Sequence, residues 1–301
     1  MIIVRLEGGL GNSMFQYALG RSISIKNRTD LKFDIESYKT NPLADCSFWL
    51  ESFTIDISTH LATSAEITRF KKFETRLGKK WVLRNWLYAD KTKYVKEKHY
   101  HFDPQILKLQ GGDLYLHGWW QSEKYFSDIR HILLRDFTLR SPLSDQNEQV
   151  AEKIRSTNSI GIHIRRQDYV ANPKTRNFHG ELSKEYYDEA LAFVTAKVEN
   201  PMLFVFSDDI PWAKEHMRFP HDTIYVGWNT GGTGAEDLFL LSLCKHAITG
   251  NSSFSWWGAW LNQNPKKIVV APEKWIASSK QNTKDVVPKT WTTIPVNYLQ
   301  D

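Results

Sequence analysis

The sequence opens with MIIVRLEGGLGNSMFQYALG, Met1–Gly20, and this stretch decides the class of fold. Met1–Leu6 is a short apolar run of the strand type, and the glycine-rich segment Gly8–Asn12 follows it. Apolar residues then recur with helical spacing at Met14, Phe15, Ala18, Leu19 and Ile23. A strand, a tight turn and a helix in this order begin a βαβ unit.

The second half of the chain continues the alternation more regularly. Apolar strand patterns occur at Ile160–Ile164, Met202–Phe206, Thr223–Val226, Ala247–Thr249 and Lys267–Ala271. Helical patterns lie between them, and the clearest is the amphipathic segment 184–198. Strands that alternate with helices predict an α/β fold with parallel sheets.

A polar segment that contains a proline, Ser141–Gln149, lies between the two halves and is the best candidate for a domain boundary. We therefore predict two domains, residues 1–145 and 146–301. Residues 41–110 show no clean period, and we assign there only a mixture of helices and loops.

Composition limits the class of protein. The chain has 301 residues, of which 41% are hydrophobic and 24% charged, as in soluble globular proteins. A net charge of +5 without a long basic run permits an anionic ligand or a membrane surface, and does not require nucleic acid. Cys46 and Cys244 lack metal-ligand spacing. We find no signal-peptide pattern and no apolar run near the ~18 residues of a membrane span, so we expect a cytoplasmic protein.

The strand Ile160–Ile164 runs into a polar cluster that includes His163, Arg165, Arg166 and Asp168. Ligands of open α/β sheets bind beyond the carboxyl ends of the strands. A guanidinium fork there suits phosphate oxygens, and Asp168 would hold an arginine or act as a base. The alternative is a surface Arg–Asp pair of little energetic weight.

Asp208 and Asp209 end the next strand pattern. Their carboxylates suit the donors of a nucleobase or ribose. They could also receive a divalent metal. The structural alternative is that Ser207 or Asp208 caps a helix that begins near Pro211, and both interpretations can hold. Their spacing is not that of a metal-binding DxD motif, and we expect no metal site.

Two further helix starts carry polar residues. Asn251, Ser252 and Ser253 follow a short strand, where free N–H groups and hydroxyls form an anion site or simply cap the helix. An anion site there and the Arg pair would hold a pyrophosphate between them. Glu236 begins another helix, and either the helix dipole or a ribose contact explains it.

The glycine-rich segment is not a dinucleotide fingerprint, because its glycines stand at positions 8, 9 and 11. It still indicates a close approach of backbone or ligand. The chain also has 12 Trp residues. Most of them are expected in the core, while Trp119 and Trp120, and the cluster Trp256, Trp257 and Trp260, are candidates for stacking on a sugar.

With these clusters in place, the chain resembles the α-1,2-fucosyltransferases of glycosyltransferase family 11. The resemblance rests on motifs that occur in one order through much of the chain. They are GGLGNSMFQYA (8–18), GWWQSEKYF (118–126), HIRRQDY (163–169), FSDD (206–209), EDLFLLSLCKHAITGNSSFSWWGAWL (236–261) and the W-x-x-I of Trp291–Ile294.

The resemblance implies a GT-B-like fold of two Rossmann-like halves whose parallel sheets face a cleft, with the acceptor on the N-terminal side. It implies an inverting transfer from GDP-β-L-fucose to a β-galactoside, without a cofactor or a metal. A lipid-linked oligosaccharide is one form of such an acceptor, and contact with the inner membrane would then be peripheral.

The resemblance also implies roles for the residues of the motifs. Arg165 would neutralise the leaving phosphate, with Arg166 in support, and His163 and Asp168 would order the site. The donor would contact the following residues: Gly11, Asn12, Asp208, Asp209, Glu236, Asn251, Ser252, Ser253 and Phe254. The acceptor would contact Trp119 and Trp120. The resemblance does not settle the general base, for which Asp168 is one candidate.

Three rival functions stay open at this point. A fucosyltransferase of another linkage, such as α-1,6, shares an Arg-pair motif. A glycan-binding protein without catalysis would explain the Trp content but not three polar strand ends. An NAD-type oxidoreductase would use the glycine-rich segment, whose glycine spacing is wrong for it.

Overall fold

The computed structural model describes residues 1–40, 49–71, 93–166, 172–229, 234–296 and 298. The chain folds as two compact units, Met1–Thr138 and Leu139–Asp301, which we call the N-terminal and C-terminal units. The polar segment that we expected at the boundary lies in the C-terminal unit, where Asp145 begins a helix whose N-cap is Ser144.

The N-terminal unit is built on a parallel sheet of four strands in the order β2-β1-β4-β3. Its strands are β1 (Ile2–Arg5), β2 (Leu31–Asp34), β3 (Lys93–Lys96) and β4 (Leu114–His117). Its helices are α1 (Leu10–Asn27), α2 (Glu36–Thr40), α3 (Ser64–Lys71) and α4 (Arg130–Asp136). Short 3₁₀ turns occur at Trp49–Ser52, Ser58–His60, Ile106–Lys108, Glu123–Tyr125 and Ser127–Ile129.

The C-terminal unit contains a parallel sheet of six strands in the order β10-β9-β8-β5-β6-β7. Its strands are β5 (Asn158–Ile164), β6 (Pro201–Ser207), β7 (Thr223–Val226), β8 (His246–Ile248), β9 (Val269–Pro272) and β10 (Thr292–Ile294). Its helices are α5 (Asp145–Ser156), α6 (Pro173–His179), α7 (Lys184–Thr195), α8 (Ile210–His216), α9 (Gly234–Leu243) and α10 (Ser253–Leu261).

Side-chain alternation along β5 explains how this sheet is packed. Ile160, Ile162 and Ile164 belong to one buried cluster, which also contains Tyr187 and Val194 of α7. His163 projects from the opposite face, because successive side chains of a strand alternate. Burial of such apolar side chains contributes roughly 25 cal/mol per Å² of area removed from water. The strand is therefore held firmly on both faces before it reaches the Arg pair.

The tryptophans of α10 are core residues, although the sequence singled out this cluster as a possible exception to the core role of most tryptophans. Trp256, Trp257 and Trp260 are at most 4% exposed, and they pack on one another. Trp256 also donates its indole N–H to the carbonyl of Val286 at 2.7 Å. This packing fixes the helix that begins at Ser253.

The prediction of an α/β fold with parallel sheets is confirmed, and each sheet with its helices is a Rossmann-like unit of the GT-B type. The edge strands β3 and β10 were not predicted, because each is short and partly exposed. Among the residues described, none of the helices has both the length and the apolar character that a membrane crossing requires.

Candidate active site

The carboxyl ends of β5 and β6 bring the Arg pair and the Asp pair together. These parallel strands are paired so that Ile164 lies opposite Ser207. The next residues, Arg165 and Asp208, are therefore neighbours, and Nε of Arg165 lies 3.3 Å from Oδ2 of Asp208. Two of the predicted clusters thus meet at one edge of the sheet.

Asp208 organises this strand end with both of its oxygens. Oδ1 accepts the backbone N–H of Arg166 at 2.8 Å, while Oδ2 faces the Arg165 side chain. The Arg165 side chain is 34% exposed. An ion pair with that exposure contributes only about 0–1 kcal/mol to stability. The contact is therefore better explained by the placement of a guanidinium than by stabilisation of the fold.

Arg166 is held on three sides. Its Nη1 donates to Oδ2 of Asp209 at 3.2 Å, and its guanidinium carbon lies 4.2 Å from the centre of the Trp212 ring. Its Nε lies 3.3 Å from Oε1 of Glu181, close enough for an ion pair but not aligned as a hydrogen bond. These contacts hold the Arg166 guanidinium in place within the C-terminal unit, and a positioning role for it stays a prediction.

Asp209 is the N-cap of α8, so the helix is capped by a carboxylate of this cluster but not by Ser207 or Asp208, the two residues that the capping interpretation named. Its Oδ1 accepts the backbone N–H of Trp212 at 3.2 Å, and its own N–H donates to Oγ of Ser207 at 3.0 Å. Because Oδ2 binds Arg166, one carboxylate both starts the helix and holds an arginine.

His163 is a buried, neutral imidazole beside the Arg pair. Its side chain packs on the ring of Phe254, with 5.1 Å between ring centres, and its Nδ1 has no hydrogen-bond partner. Burial, with a smaller contribution from the charge of Arg165, lowers the pKa of His163 to about 3. The positive charge at this strand end therefore comes from the arginines alone.

The start of α10 follows the capping pattern that the sequence suggested. Oγ of Ser252 accepts the backbone N–H of Phe254 at 3.3 Å, and Ser252 is the N-cap. Ser253 and Phe254 occupy the first turn and are half-buried. The first turn of a nine-residue helix offers backbone N–H groups to an anion.

Asn251 ties α10 to the loop that follows α6. Its Nδ2 donates to the carbonyls of His179 and Gly180, at 2.9 Å and 3.1 Å. The side chain is only 3% exposed. The structure thus gives Asn251 a contact that fixes the loop carrying Glu181, which in turn faces Arg166.

Glu236 joins the first turn of α9 to the start of α5. Its Oε2 accepts the backbone N–H of Ser144 at 3.3 Å and Nδ2 of Asn147 at 2.5 Å. A carboxylate in the first turn is also favoured by the helix dipole. These contacts explain Glu236 within the fold, and a ribose contact stays a prediction.

A polar network that the sequence did not suggest surrounds Asp237. Asn229 donates Nδ2 to Oδ1 of Asp237 at 2.6 Å and to Oδ1 of Asn147 at 3.1 Å. The indole N–H of Trp228 also donates to Oδ1 of Asn147. Burial, followed by the charge of Glu236, raises the pKa of Asp237 to about 7, although the Asn229 hydrogen bond opposes this shift.

In the N-terminal unit, the glycine-rich segment is a close-packed turn. Gly8 has a φ of 80°, and a Cβ there would lie 2.7 Å from Nδ2 of Asn12. Oδ1 of Asn12 accepts Nε2 of Gln121 at 2.8 Å. Gly11 is buried in the first turn of α1. The close approach that the glycines indicated is therefore, in part, packing of this segment against other residues of the same chain.

The two tryptophans proposed for the acceptor differ in exposure. Trp119 is half-buried, whereas Trp120 is 1% exposed and has a φ of 56°. The ring of Trp120 packs edge-on against Tyr125, with 5.9 Å between ring centres. The expectation that Trp120 stacks on a sugar is therefore wrong for this structure, because its ring fills the core.

Sequence reasoning missed four charged or titratable residues near the strand ends. They are Glu7, Glu97, His117 and Glu181. Glu97 follows β3, whose pattern was not recognised, and the others carry no motif of their own. The sheet order reveals Glu7, Glu97 and His117, because it brings them to one edge. Glu181 is revealed by its contact with Arg166.

Asp168 lies outside the described residues, so its predicted role is not addressed by the structure. Within the described ranges, no three His, Cys, Asp or Glu side chains gather closely enough to hold a metal ion.

Comparison with known proteins identifies the family. The sequence matches glycosyl transferase family 11 over residues 1–295. It is 34% identical to the α-1,2-colitosyltransferase of Escherichia coli over 299 residues, which cover 98% of this chain and 99% of that protein. It is 32% identical over 294 residues to the E. coli O-antigen biosynthesis glycosyltransferase WbnK, covering 92% of this chain and 95% of that one.

More distant similarities agree with this match. Galactoside α-(1,2)-fucosyltransferase 2 of Pongo pygmaeus is 27% identical over 176 residues, which cover 56% of this chain and 49% of that protein. A mutant form of Arabidopsis thaliana FUT1 in complex with GDP shares the fold with a TM-score of 0.56 and 13% identity, covering 91% of this chain and 71% of that chain. The chain belongs to glycosyltransferase family 11 and is a glycosyltransferase.

Proposed function

We propose that the protein transfers L-fucose from GDP-β-L-fucose to the 2-hydroxyl of a terminal β-galactoside, with inversion at the anomeric carbon. The observation that carries the proposal is the placement of Arg165 by Asp208 at the carboxyl end of β5. Membership of family 11 supplies the reaction class, and a relative is named as an α-(1,2)-fucosyltransferase of galactosides.

The proposed reaction requires a positive charge beside the β-phosphate oxygen of the donor. The bond between the anomeric carbon and the β-phosphate oxygen breaks, and the diphosphate takes the electron pair. A guanidinium fixed beside that oxygen stabilises the developing charge more in the transition state than in the ground state. Arg165 is suited to this task, because its side chain remains one-third exposed while Asp208 fixes its orientation.

The surrounding residues support the same assignment. Arg166 is committed to Asp209 and Trp212, and His163 is neutral, so neither duplicates the role of Arg165. The first turn of α10 would bind the phosphates through its N–H groups. The acceptor hydroxyl attacks the anomeric carbon from the opposite face and gives its proton to a base, for which Asp168 is one candidate, and this converts a β-linked donor into an α-linked product.

Product analysis tests the proposal. The protein is incubated with GDP-fucose and either lactose or Galβ1-3GalNAc, without added metal, and the new linkage is read by NMR. An α-1,2-linked fucose is expected. An α-1,6 linkage would support the rival linkage, and glycan binding without turnover would support the glycan-binding protein. Thermal protection by NAD but not by GDP would support the oxidoreductase.

A second donor deserves the same assay, because the E. coli relative with 34% identity is named an α-1,2-colitosyltransferase. Colitose is L-fucose without its 3-hydroxyl. A site that hydrogen-bonds this hydroxyl rejects the deoxy sugar by about 10⁴–10⁵ in kcat/KM, whereas a site shaped for the deoxy sugar rejects the hydroxylated one by only about 10². The ratio of kcat/KM for GDP-fucose and GDP-colitose therefore identifies the natural sugar.

The choice of acceptor is supported by a relative that is named for O-antigen biosynthesis. We propose an oligosaccharide of the O-antigen type, including its lipid-linked form, as the acceptor. Addition of lipid-linked and free forms of one oligosaccharide in parallel would show whether the lipid raises kcat/KM.

A further inference from the structure

The carboxyl edge of the N-terminal sheet holds a cluster of polar side chains that the proposed donor chemistry does not use. Glu7 follows β1, Glu97 follows β3, and His117 ends β4. These strands are parallel and adjacent in the order β1-β4-β3, with Val4 opposite Leu116. The three side chains therefore gather at one edge, where ligands of such sheets bind.

Glu7 and His117 form the centre of this edge. Oε1 of Glu7 lies 3.4 Å from Nε2 of His117, and Oε2 lies 3.0 Å from Nε of Arg5. Nδ1 of His117 lies 2.6 Å from the hydroxyl of Tyr94. The Glu7 and His117 side chains keep 18% and 12% of their surface exposed. They are oriented by neighbours and still reach solvent.

A buried glutamine ties the two strand ends together. The backbone N–H of Glu7 donates to Oε1 of Gln16 at 3.0 Å, and Nε2 of Gln16 donates to the carbonyl of Gly118 at 3.1 Å. Gln16 is 0% exposed. The amide therefore fixes the spacing between Glu7 and the turn after His117, as a preformed site requires.

Glu97 fixes the indole beside this pair. Its carboxylate accepts the backbone N–H of Trp119 at 2.6 Å and that of Trp120 at 3.0 Å. The approach is so close that a Cβ on Gly118 would lie 2.3 Å from Cβ of Glu97. The Trp119 ring reaches Gly8, where an added Cβ would lie 3.0 Å from Cζ3 of the indole. The indole thus lies beside the residue that follows Glu7.

The chemistry of this edge fits a sugar. A carboxylate with up to four lone-pair sites accepts from neighbouring hydroxyls even while it is paired, whereas both ring nitrogens of His117 already face Glu7 and Tyr94. The half-buried indole offers an apolar face to the C–H groups of a pyranose ring. The guanidinium of Arg5 is paired with Glu7 at this edge, whereas the proposed diphosphate site is built on Arg165, whose side chain is one-third exposed.

We infer that Glu7 and Trp119 bind the acceptor sugar and select it by its hydroxyl pattern, with His117 as a positioning residue for Glu7 and Glu97 as one for Trp119. The inference rests on the proposed function for the identity of the sugar, a terminal β-galactoside. The arrangement of these residues is given by the contacts within the N-terminal unit and does not depend on the proposed function.

The test measures sugar binding directly and does not depend on transfer. Binding of methyl β-D-galactopyranoside to the full chain is followed by saturation-transfer NMR, and binding of GDP by calorimetry. We expect Glu7→Gln, a near-isosteric change, to weaken galactoside binding by about ten- to a hundredfold, since it removes a charged hydrogen-bond acceptor. The affinity for GDP and the Tm should change little.

A control and a cycle sharpen this result. Glu66→Gln removes a carboxylate that pairs with Lys32 in the same unit, and we expect it to leave galactoside binding unchanged. Galactosides that each lack one hydroxyl identify the group that Glu7 binds. Removal of the hydroxyl that Glu7 binds should weaken binding to the wild type and have a much smaller effect on binding to Glu7→Gln. The effects of two changes are not additive when the changed groups interact.

Glu97→Gln tests the positioning role. A glutamine places an N–H₂ group against one of the two N–H donors of Trp119 and Trp120, so the turn loses one acceptor. We expect KM for the acceptor to rise while kcat and KM for the donor are retained. A loss of stability alone would lower Tm without this split.

The outcomes separate the inference from the proposed function. Wild-type galactoside affinity in both Glu7→Gln and Trp119→Leu would overturn the inference, whatever the transfer assay shows. If the wild type binds another glycan instead, and Glu7→Gln weakens that binding, the subsite stands and the proposed galactoside acceptor falls. Binding of GDP with no affinity for any sugar would overturn the inference as well.

Discussion

Oδ2 of Asp208 lies 3.3 Å from Nε of Arg165, and the other oxygen of the same carboxylate accepts the backbone N–H of Arg166. One side chain at the end of β6 therefore orients both members of the Arg pair at the end of β5. The two arginines nevertheless differ in their surroundings, and they should respond differently to mutation.

Removal of the Arg165 side chain should affect chemistry rather than folding. We expect Arg165→Ala to lower kcat by about 10²–10³-fold or more, as when a preorganised charge stabiliser is lost, with little change in Tm. Steady-state kinetics with GDP-fucose and thermal unfolding measure the two effects. Arg155→Ala is the matched control, because Arg155 forms an exposed ion pair with Glu148. Wild-type turnover in Arg165→Ala would refute the phosphate role.

Removal of the Arg166 side chain should affect stability more and turnover less. Arg166→Ala takes away the cation that lies over Trp212 and faces Asp209 and the buried Glu181. A buried carboxylate that loses its partner costs about 1–3 kcal/mol or more. We expect a lower Tm and a milder loss of kcat than in Arg165→Ala. An unchanged Tm would contradict the positioning role.

His163 should make stability depend on pH in one direction. Its pKa is about 3 in the folded chain against an ordinary value of 6.5, so between these values the unfolded chain binds more protons. Its contribution to the free energy of unfolding therefore rises with pH across that window and is complete above about 6.5. Urea unfolding of the wild type and His163→Gln from pH 5 to 8 should show a steeper rise in the wild type. Parallel curves would contradict the neutral buried imidazole.

Asp237 should act in the opposite direction. Burial raises its pKa to about 7 from an ordinary value of 3.8, so the folded chain binds more protons between these values. Its contribution to the free energy of unfolding falls as the pH rises through that window. In Asp237→Asn this fall should disappear, so the free energy of unfolding of the variant should rise relative to that of the wild type between pH 5 and 8. A constant difference between the two proteins would argue against a shifted carboxyl.

Removal of divalent metal should leave transfer unchanged. The proposed mechanism assigns the developing phosphate charge to Arg165 and the start of α10, and the spacing of Asp208 and Asp209 is not that of a metal-binding motif. Rates measured with EDTA and with added Mn²⁺ should agree. Complete loss in EDTA that Mn²⁺ restores would contradict the mechanism.

Much of the C-terminal unit was predictable because its strands are buried and its polar residues stand at strand ends. The apolar run of β5 and the Arg pair are adjacent in sequence, so a local pattern marks the edge of the sheet. The contact of Arg165 with Asp208 follows from parallel pairing alone.

The N-terminal unit was harder to predict. The sequence of β3, KYVK, is partly exposed and has no apolar period, so the importance of Glu97 after it was invisible. Trp120 was misjudged because sequence does not reveal which of two adjacent indoles turns inward. Trp120 has a φ of 56°, and its backbone N–H donates to the carboxylate of Glu97, which is 23 residues away in sequence.

The pairing of Ile164 with Ser207 has a consequence for how this protein can change. Arg165 and Arg166 are the same amino acid, and only their alternation at the end of β5 gives one to Asp208 and the other to Trp212 and Glu181. A one-residue insertion in β5 would place Ile164 opposite Asp208 and would move Arg165 into the position of Arg166, although both arginines would remain in the sequence, because a shift of one reverses the faces of a strand. The register of the strands thus determines which of the two arginines contacts which partners. Sequence changes that preserve both arginines but shift this register can still abolish the arrangement.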